Sequence, residues 1–389
     1  MTYTSCKTSY NLKMIKKTFR EHHLLTILSE YESQQLPLDR FLKDYFRFHK
    51  AIGSKDRKVL CENIYSMVRW KGLLDYLCDK PTSWEARYQK LSQIKPDHFF
   101  DDEQIPLHIR LSFPKELLSL IVESLGEEKA RFFCRTSNST APITVRVNLL
   151  KTSRENLLKI WEPQLAATCG LFHTAIILPK RVNFFTLPEF KLGHFEVQDE
   201  ASQRLADLVA VEPGQLALDF CAGSGGKSLA IAPKMQGKGQ LFLHDIRENA
   251  LVEAKKRIKR AGIQNAQLLL PSSSQKKALY EKFDWVLVDV PCSGTGTMRR
   301  NPDMKWRFTT KMLRKIIQEQ RQIFEQALRF VKPGGHIVYM TCSVLQLENE
   351  EQTQYFKKTF SLNTSSSAFN TLPLDTNDPD GFYGQVFVK

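Results

Sequence analysis

"QLALDFCAGSGGKSLAIAPKM", Gln215 to Met235, decides how the chain is read. "QLALDF" is a short apolar run that carries an acid, Asp219, at its end. "CAGSGGKS" is a glycine-rich turn, and "LAIAPKM" continues as a helix. The same alternation continues downstream. "GQLFLHD" is strand-like, and "ENALVEAKKRIKRAG" is a helix ended by Gly262. "AQLLL" and "FDWVLVDV" are further strands. "LRKIIQEQRQIFEQALRFVKPGG" is an amphipathic helix with a Pro-Gly-Gly stop, and "HIVYMTC" a strand. "NEEQTQYFKKTF" is a helix, and "GFYGQVFVK" a terminal strand. Strands alternating with helices predict an α/β fold with a doubly wound, mostly parallel sheet. Such sheets bind ligands at the carboxyl ends of their strands. That rule places Asp219, Asp245, Asp289 with Cys292, and Cys342 along one rim.

The turn itself narrows the ligand. Gly223, Gly225 and Gly226 let backbone approach a bound group closely. The following helix start offers free N–H groups to an anion. A P-loop would need glycine where Cys221 stands, and a dinucleotide fingerprint would need glycine where Ser228 stands. Asp245 ends the second strand, where a carboxylate accepts both hydroxyls of a ribose. Turn, helix and ribose acid suggest an adenosine-type cofactor. One with a nucleoside end and an amino-acid end is S-adenosylmethionine.

Upstream, "APITVRVNLLKTS" alternates like a strand, "SRENLLKIWEPQ" reads as a helix and "TAIILPK" as a second strand. They predict a small α/β unit over 138–195, ahead of a catalytic domain over 196–389. Residues 14 to 135 read as helical, with Ser54 a candidate cap and Gly126 dividing two short helices, so a helical domain is expected over 1–137. The opening residues lack an apolar run, so no secretory signal is read. They are basic and free of acids up to Glu21, which gives them a faint look of an organelle presequence without its amphipathic spacing. No window approaches a membrane span, and a cytoplasmic monomer is expected.

Of the 389 residues, 42% are hydrophobic and 25% charged, the balance of an ordinary globular protein. The net charge of +14 argues for an anionic partner, nucleic acid being the common one. Ten Lys or Arg against three acids lie between Arg299 and Lys332. Trp306 and Phe308, beside that run, are read as core rather than as base-stacking groups. None of the eight cysteines forms a CxxC pair and no His clusters near them, so no metal site is expected. A disulfide framework does not suit a chain without a secretory signal. Most cysteines read as small buried hydrophobes.

Two do not. "DVPCSGTG" and "YMTCSV" put Cys292 and Cys342 at strand ends, each followed by Ser, with Asp289 three residues before Cys292. Carbon-5 of a pyrimidine is a poor nucleophile. Addition of a thiolate to carbon-6 turns the ring into an enamine whose carbon-5 attacks a methyl sulfonium. A base must then remove the carbon-5 proton so that the thiol leaves.

"DFCAGSGGKS", "DVPCSGTGTMRRNPDMKW" and "GGHIVYMTCSVLQLENE" resemble the RsmB/Sun (NSUN-type) branch of RNA 5-methylcytosine methyltransferases, as do "VQDEAS" and the closing "DGFYGQVFVK". "GSKDRKVLCENIYSMVRW" looks like that branch's NusB-like RNA-binding domain, and "TVRVNLLKTSRENLLK" like its small intervening subdomain. The resemblance implies a Rossmann-like class I methyltransferase domain behind these two. It implies Cys342 as the nucleophile on carbon-6, Cys292 as the thiol assisting product release, and Asp289 as a contact of the cytosine ring. It gives the amino-acid end of S-adenosylmethionine to the loop Cys221, Ala222, Gly223, Ser224, Gly225, Gly226 and Lys227, with Asp289 beside it, and the ribose to Asp245. Arg299, Arg300 and Lys305 are expected to touch RNA.

Two departures stand out. Ser224 occupies a position where the family has Pro, and no acid lies from Ala266 through Tyr280, where the family has one near the adenine. The expected partner is RNA, 16S ribosomal RNA ahead of transfer RNA. The rivals are a DNA cytosine enzyme, which needs only the Pro-Cys thiol, a protein or small-molecule methyltransferase, and a non-catalytic RNA-binding assembly protein that retains the fold.

Overall fold

The computed structural model describes residues 17–34 and 36–389, and the presequence-like opening lies outside them. The chain forms two compact units that divide between His98 and Phe99.

The first unit is helical: α1 (Phe19–Glu32), α2 (Leu38–Phe48), α3 (Ser54–Arg69), α4 (Lys71–Leu77) and α5 (Trp84–Gln93). Thr18 caps α1 in a reciprocal box with Glu21, which satisfies two of the helix's orphan donors. Gly53, not Ser54, caps α3. The helical run from residue 54 breaks at Trp70 into α3 and α4. Leu24, Ile27, Leu28, Ile64, Met67 and Leu74 recur at helical spacing and are buried. Buried Arg87 pairs with Asp75 at 2.6 Å and lies over the Trp84 ring.

In the second unit, after a short helical turn at Leu107–Arg110, come α6 (Lys115–Leu125) and α7 (Glu127–Ser137), joined through Gly126 at φ +77°. These continue the helical pattern of the preceding hundred residues but pack in the second unit. The reason is polar. Lys305, fully buried, donates to the Ser112 carbonyl at 2.9 Å and to Asn138 Oδ1 at 2.8 Å. Thr136 Oγ1 donates to the Leu374 carbonyl at 2.8 Å. Burying an ammonium is costly unless its donors are met, so these residues cannot part cheaply from the sheet domain.

A small antiparallel sheet follows, in the order β2 (Thr168–Cys169), β3 (Ala175–Leu178), β1 (Ile143–Val147), β4 (Phe195–Val197). It packs on α8 (Arg154–Leu165) through Val145, Val147, Leu157, Trp161, Ile176 and Phe195.

The large sheet carries the site. Helix α9 (Glu200–Asp207) leads into β5 (Leu216–Asp219), the short α10 (Ser228–Ile231), β6 (Gln240–Leu243), α11 (Glu248–Ala261), β7 (Ala266–Leu268), β8 (Phe283–Asp289), α12 (Thr310–Leu328), β9 (Val331–Thr341), α13 (Glu350–Phe360), β10 (Asn363–Thr364), β11 (Phe369–Thr371) and β12 (Phe382–Val388). The strand order is β10-β12-β9-β8-β5-β6-β7, with β11 beside β12. Strands β5 to β9 run parallel, and β12 is antiparallel to β9. The chain moves outward from β5 through β6 to β7, then returns to β8 on the other side of β5. That reversal opens the binding crevice at the carboxyl ends of β5 and β8. Successive side chains alternate between two cores. Ala217, Leu241, Leu243, Leu287 and Met340 face one, with Leu251 and Ile258 of α11. Leu218, Phe242, Val286, Val288 and Tyr339 face the other, with Phe324 of α12 and Phe356 of α13. "KPGG" does not merely stop α12. The helix ends at Leu328, and the Pro-Gly-Gly residues bulge out of β9, whose Val331 pairs with Phe283 before the ladder resumes at His336.

Candidate active site

The loop after β5 has the shape of a ligand cradle. Gly223 and Gly225 take φ +52° and +82°, and a side chain at Gly225 would press on Ala254 of α11 at 3.3 Å. Gly226 faces open space. Beneath the loop, Asp219 is buried, accepts from Ser228 Oγ at 2.5 Å, and leaves Oδ1 without a partner. Burial pushes its carboxyl up to about 7 against the pull of Ser228. An orphaned buried oxygen below an open glycine turn suits a ligand that brings an ammonium group.

Asp245 follows β6 and is nearly buried. Its carboxylate accepts from the Gly223 N–H at 2.7 Å, the Arg247 N–H at 2.8 Å and Arg247 Nε at 3.0 Å. Burial works to raise this carboxyl, but these bonds outweigh it and hold it below the ordinary range. Next to it Ile246 is 83% exposed, an apolar side chain beside the acid. Ser224 is exposed, and its Oγ accepts from Arg257 at 2.7 Å, so the departure from proline brings in an outside tether instead of a ring.

A second tether arrives from the small sheet. Arg146 on β1 donates to the Gly226 carbonyl at 2.9 Å and also bonds Gln198. Burial pushes its guanidinium down to about 10 against the attraction of Glu196, so it remains charged at neutral pH. The sequence reading missed this residue. The alternation of "TVRVN" was the signal, since a buried-strand pattern with Arg in it implies a paired charge.

Asp289, at the end of β8, pairs with Lys227 of the glycine loop. Burial alone would lower the Lys227 ammonium's pKa, but Asp289 and the nearby Cys342 outweigh it and raise it, so the cation persists. Lys227 therefore belongs to the thiol side of the crevice as much as to the loop. Cys292 and Cys342 meet with Sγ atoms 3.2 Å apart, both free and partly exposed. The bond from Cys342, then burial, holds the Cys292 thiol well above the usual range.

The serine after each cysteine has a shared purpose. Ser293 donates its N–H to Glu348 Oε1 at 2.8 Å and its hydroxyl to Oε2. Ser343 donates its hydroxyl to Oε2 at 2.5 Å. Gln320 of α12 donates to Oε1 at 3.1 Å, and to the Pro291 carbonyl at 3.0 Å. Glu348 is fully buried, and burial raises its carboxyl against these bonds.

The expected RNA contacts need correction. Arg299 is buried, donating from Nε to Asp380 at 2.6 Å, and Lys305 is the buried strut to Ser112 and Asn138. Neither faces solvent, so neither can take a phosphate. Arg300, half-buried, pairs with Asp380 and with Asp199 at 2.8 Å. Arg299 and Arg300 cross-link the fold around Asp199 and Asp380. Phe308 is buried and Trp306 half-buried. The exposed cations of the basic run are Lys311, Arg314 and Lys315 on α12 and Arg329 just past its end.

A family model described as "16S rRNA methyltransferase RsmB/F" matches residues 206–377. One for the RsmF/B-like ferredoxin-like domain matches residues 113–184, starting inside the segment that packs with the sheet domain. A probable ribosomal RNA small subunit methyltransferase B of Synechocystis is 32% identical over 275 residues, which cover 69% of this chain and 61% of that protein. The chain thus spans about three fifths of that relative's length. A ribosomal RNA small subunit methyltransferase B of Proteus mirabilis is 28% identical over 439 residues, covering 98% of this chain and all of that protein. Among solved structures, a methyltransferase homolog protein from Pyrococcus horikoshii superposes with a TM-score of 0.64 at 24% identity. The match covers 76% of this chain and all of that one.

Proposed function

The chain belongs to the RsmB/F family of methyltransferases, and on that premise we propose that it methylates carbon-5 of a cytosine in 16S ribosomal RNA. The observation that carries this reading is the pair of free thiols 3.2 Å apart beside the Lys227–Asp289 pair. A methyltransferase acting on an already nucleophilic atom needs no thiol, whereas a pyrimidine carbon-5 needs one to activate the ring and gains from another to complete the cycle.

S-adenosylmethionine bound in the cradle supplies an electrophilic methyl group. Gly223 to Gly226 and Asp219 would hold its amino-acid end, and Asp245 its ribose, with Ile246 against the adenine. The target cytosine is flipped into the crevice. Asp289, held by Lys227, orients the ring through nitrogen-3 and the exocyclic amine. The Cys342 thiolate forms a bond to carbon-6, and the ring electrons move to carbon-5. After methylation, a base takes the carbon-5 proton, the carbon-6 to sulfur bond breaks, and the Cys342 thiolate is restored. Cys292 assists this release.

RNA is held outside the crevice by exposed cations, among them Lys311, Arg314 and Lys315 of α12 and Lys255, Lys256 and Lys259 of α11. The helical first unit is a further RNA-binding region, and the protein works as a cytoplasmic monomer. No helix among the described residues is long and apolar enough to cross a membrane.

The test is methyl transfer from labelled S-adenosylmethionine to small-subunit ribosomal RNA, with bisulfite sequencing of the product. A single new 5-methylcytosine is expected. Label on transfer RNA alone, or on another base, would overturn the substrate.

A further inference from the structure

We propose that Glu348 is the positioning residue of the site: a buried carboxylate that bridges the two cysteine loops and sets the separation of their thiols. The inference rests on the two-thiol reading above.

The serines after Cys292 and Cys342 are not on the reaction path. They are instead the means by which two separate loops share one anchor. Glu348 Oε2 takes the hydroxyls of both Ser293 and Ser343, while Oε1 takes the Ser293 N–H and Gln320. Around it the network closes. Tyr339 donates to the Glu348 carbonyl at 2.7 Å, and Thr295 accepts from the Val344 N–H at 3.0 Å. The Gly296 N–H donates to the Cys342 carbonyl at 2.9 Å. A carboxylate enclosed in protein costs several kcal/mol unless its lone pairs are filled. A core built only for stability would use an apolar side chain here. The carboxylate offers two acceptor atoms at fixed spacing, and it joins the loops at their serines in addition to these direct bonds and the contact of Thr295 with Ser343 at 3.0 Å. Each cysteine is one residue from a bridged serine, so moving the carboxylate moves both sulfurs. Glu348 itself follows the nucleophile by six residues, in "TCSVLQLE", so one short segment carries both the attacking thiol and the anchor for its partner.

The test uses the full chain with Glu348→Ala and Glu348→Gln, and two readouts. The first is methyl transfer. The second is the equilibrium of the Cys292–Cys342 pair with glutathione disulfide, two thiols giving one disulfide and two glutathiones, followed by mass spectrometry of the peptides. It reports thiol separation without any RNA. For Glu348→Ala, kcat should fall about 100-fold, the cost of a displacement near 1 Å, with KM for S-adenosylmethionine within about twofold because the cradle is untouched. The thiol-pair equilibrium constant should fall about tenfold or more. Glutamine retains an acceptor for the N–H donors and offers its amide to the hydroxyls, so it should restore that constant to within about threefold. An unchanged thiol equilibrium in Glu348→Ala, with or without lost transfer, would overturn the bridge. So would a glutamine variant that restores nothing. If the alanine variant does not fold, Ser293→Ala and Ser343→Ala each cut one strut and should each lower the constant. Methyl transfer that survives Cys342→Ala would refute the two-thiol reading, and the thiol equilibrium would still decide the role of Glu348.

Discussion

Cys342 and Cys292 are equivalent in composition and separated in role by their surroundings. The bond from Cys342 and burial raise the Cys292 thiol, in keeping with the proposed division in which Cys342 attacks. Cys342→Ala should therefore reduce methyl transfer by at least about 1000-fold while calorimetry still detects cofactor binding. Asp219 makes a prediction of a different kind. Its carboxyl is held near 7 by burial, above its unfolded value. Folding therefore favours the protonated form. Its contribution is fully present below the unfolded pKa of about 4 and is lost as pH rises through 7. Asp219→Asn should flatten stability across that window, and urea titrations from pH 4 to 8 would show it. A variant with the wild-type slope would mean that the burial is relieved in solution.

At the scale of elements, the strand ends were legible in the sequence because each apolar run closes on a chemically distinct residue: Asp219, Asp245, Asp289, Cys342. Tethers between elements were not. Arg146 reaches Gly226 across 80 positions and Glu348 reaches Ser293 across 55. No periodicity encodes such pairs, because their spacing is set by how strands are ordered in the sheet. The same blindness made Arg299 and Lys305 look like an RNA surface. A lysine bonded to Ser112 and Asn138 and one free in water read identically in "MRRNPDMKW". Arg146→Ala should leave the Gly226 carbonyl without its charged donor, worth about 1.5–3 kcal/mol. We expect cofactor affinity to fall about tenfold or more, and calorimetry without RNA is the check. Unchanged affinity would make the small sheet's hold on the loop incidental.

Across the whole molecule, charge and topology carry different messages. The doubly wound sheet was legible from alternation alone, and its crevice lies where the order β8-β5-β6 requires. The packing break at residues 98/99 was not, because α6 and α7 share the helical pattern of the first unit and differ only in what they touch. The net charge of +14 predicts RNA binding that weakens by orders of magnitude between about 50 and 200 mM salt. Filter binding at graded salt should show Lys311→Ala with Lys315→Ala reducing the slope, and Lys305→Ala affecting folding instead.

In the proposed cycle Cys342 attacks and Cys292 releases. Cys292→Ala should stall it after attack. Incubated with S-adenosylmethionine and small-subunit ribosomal RNA, that variant should run as a slowed band under denaturing conditions, with the nucleotide mapped by mass spectrometry to the Cys342 sulfur. A variant that turns over freely without an adduct, or an adduct mapped to a different residue, would contradict it.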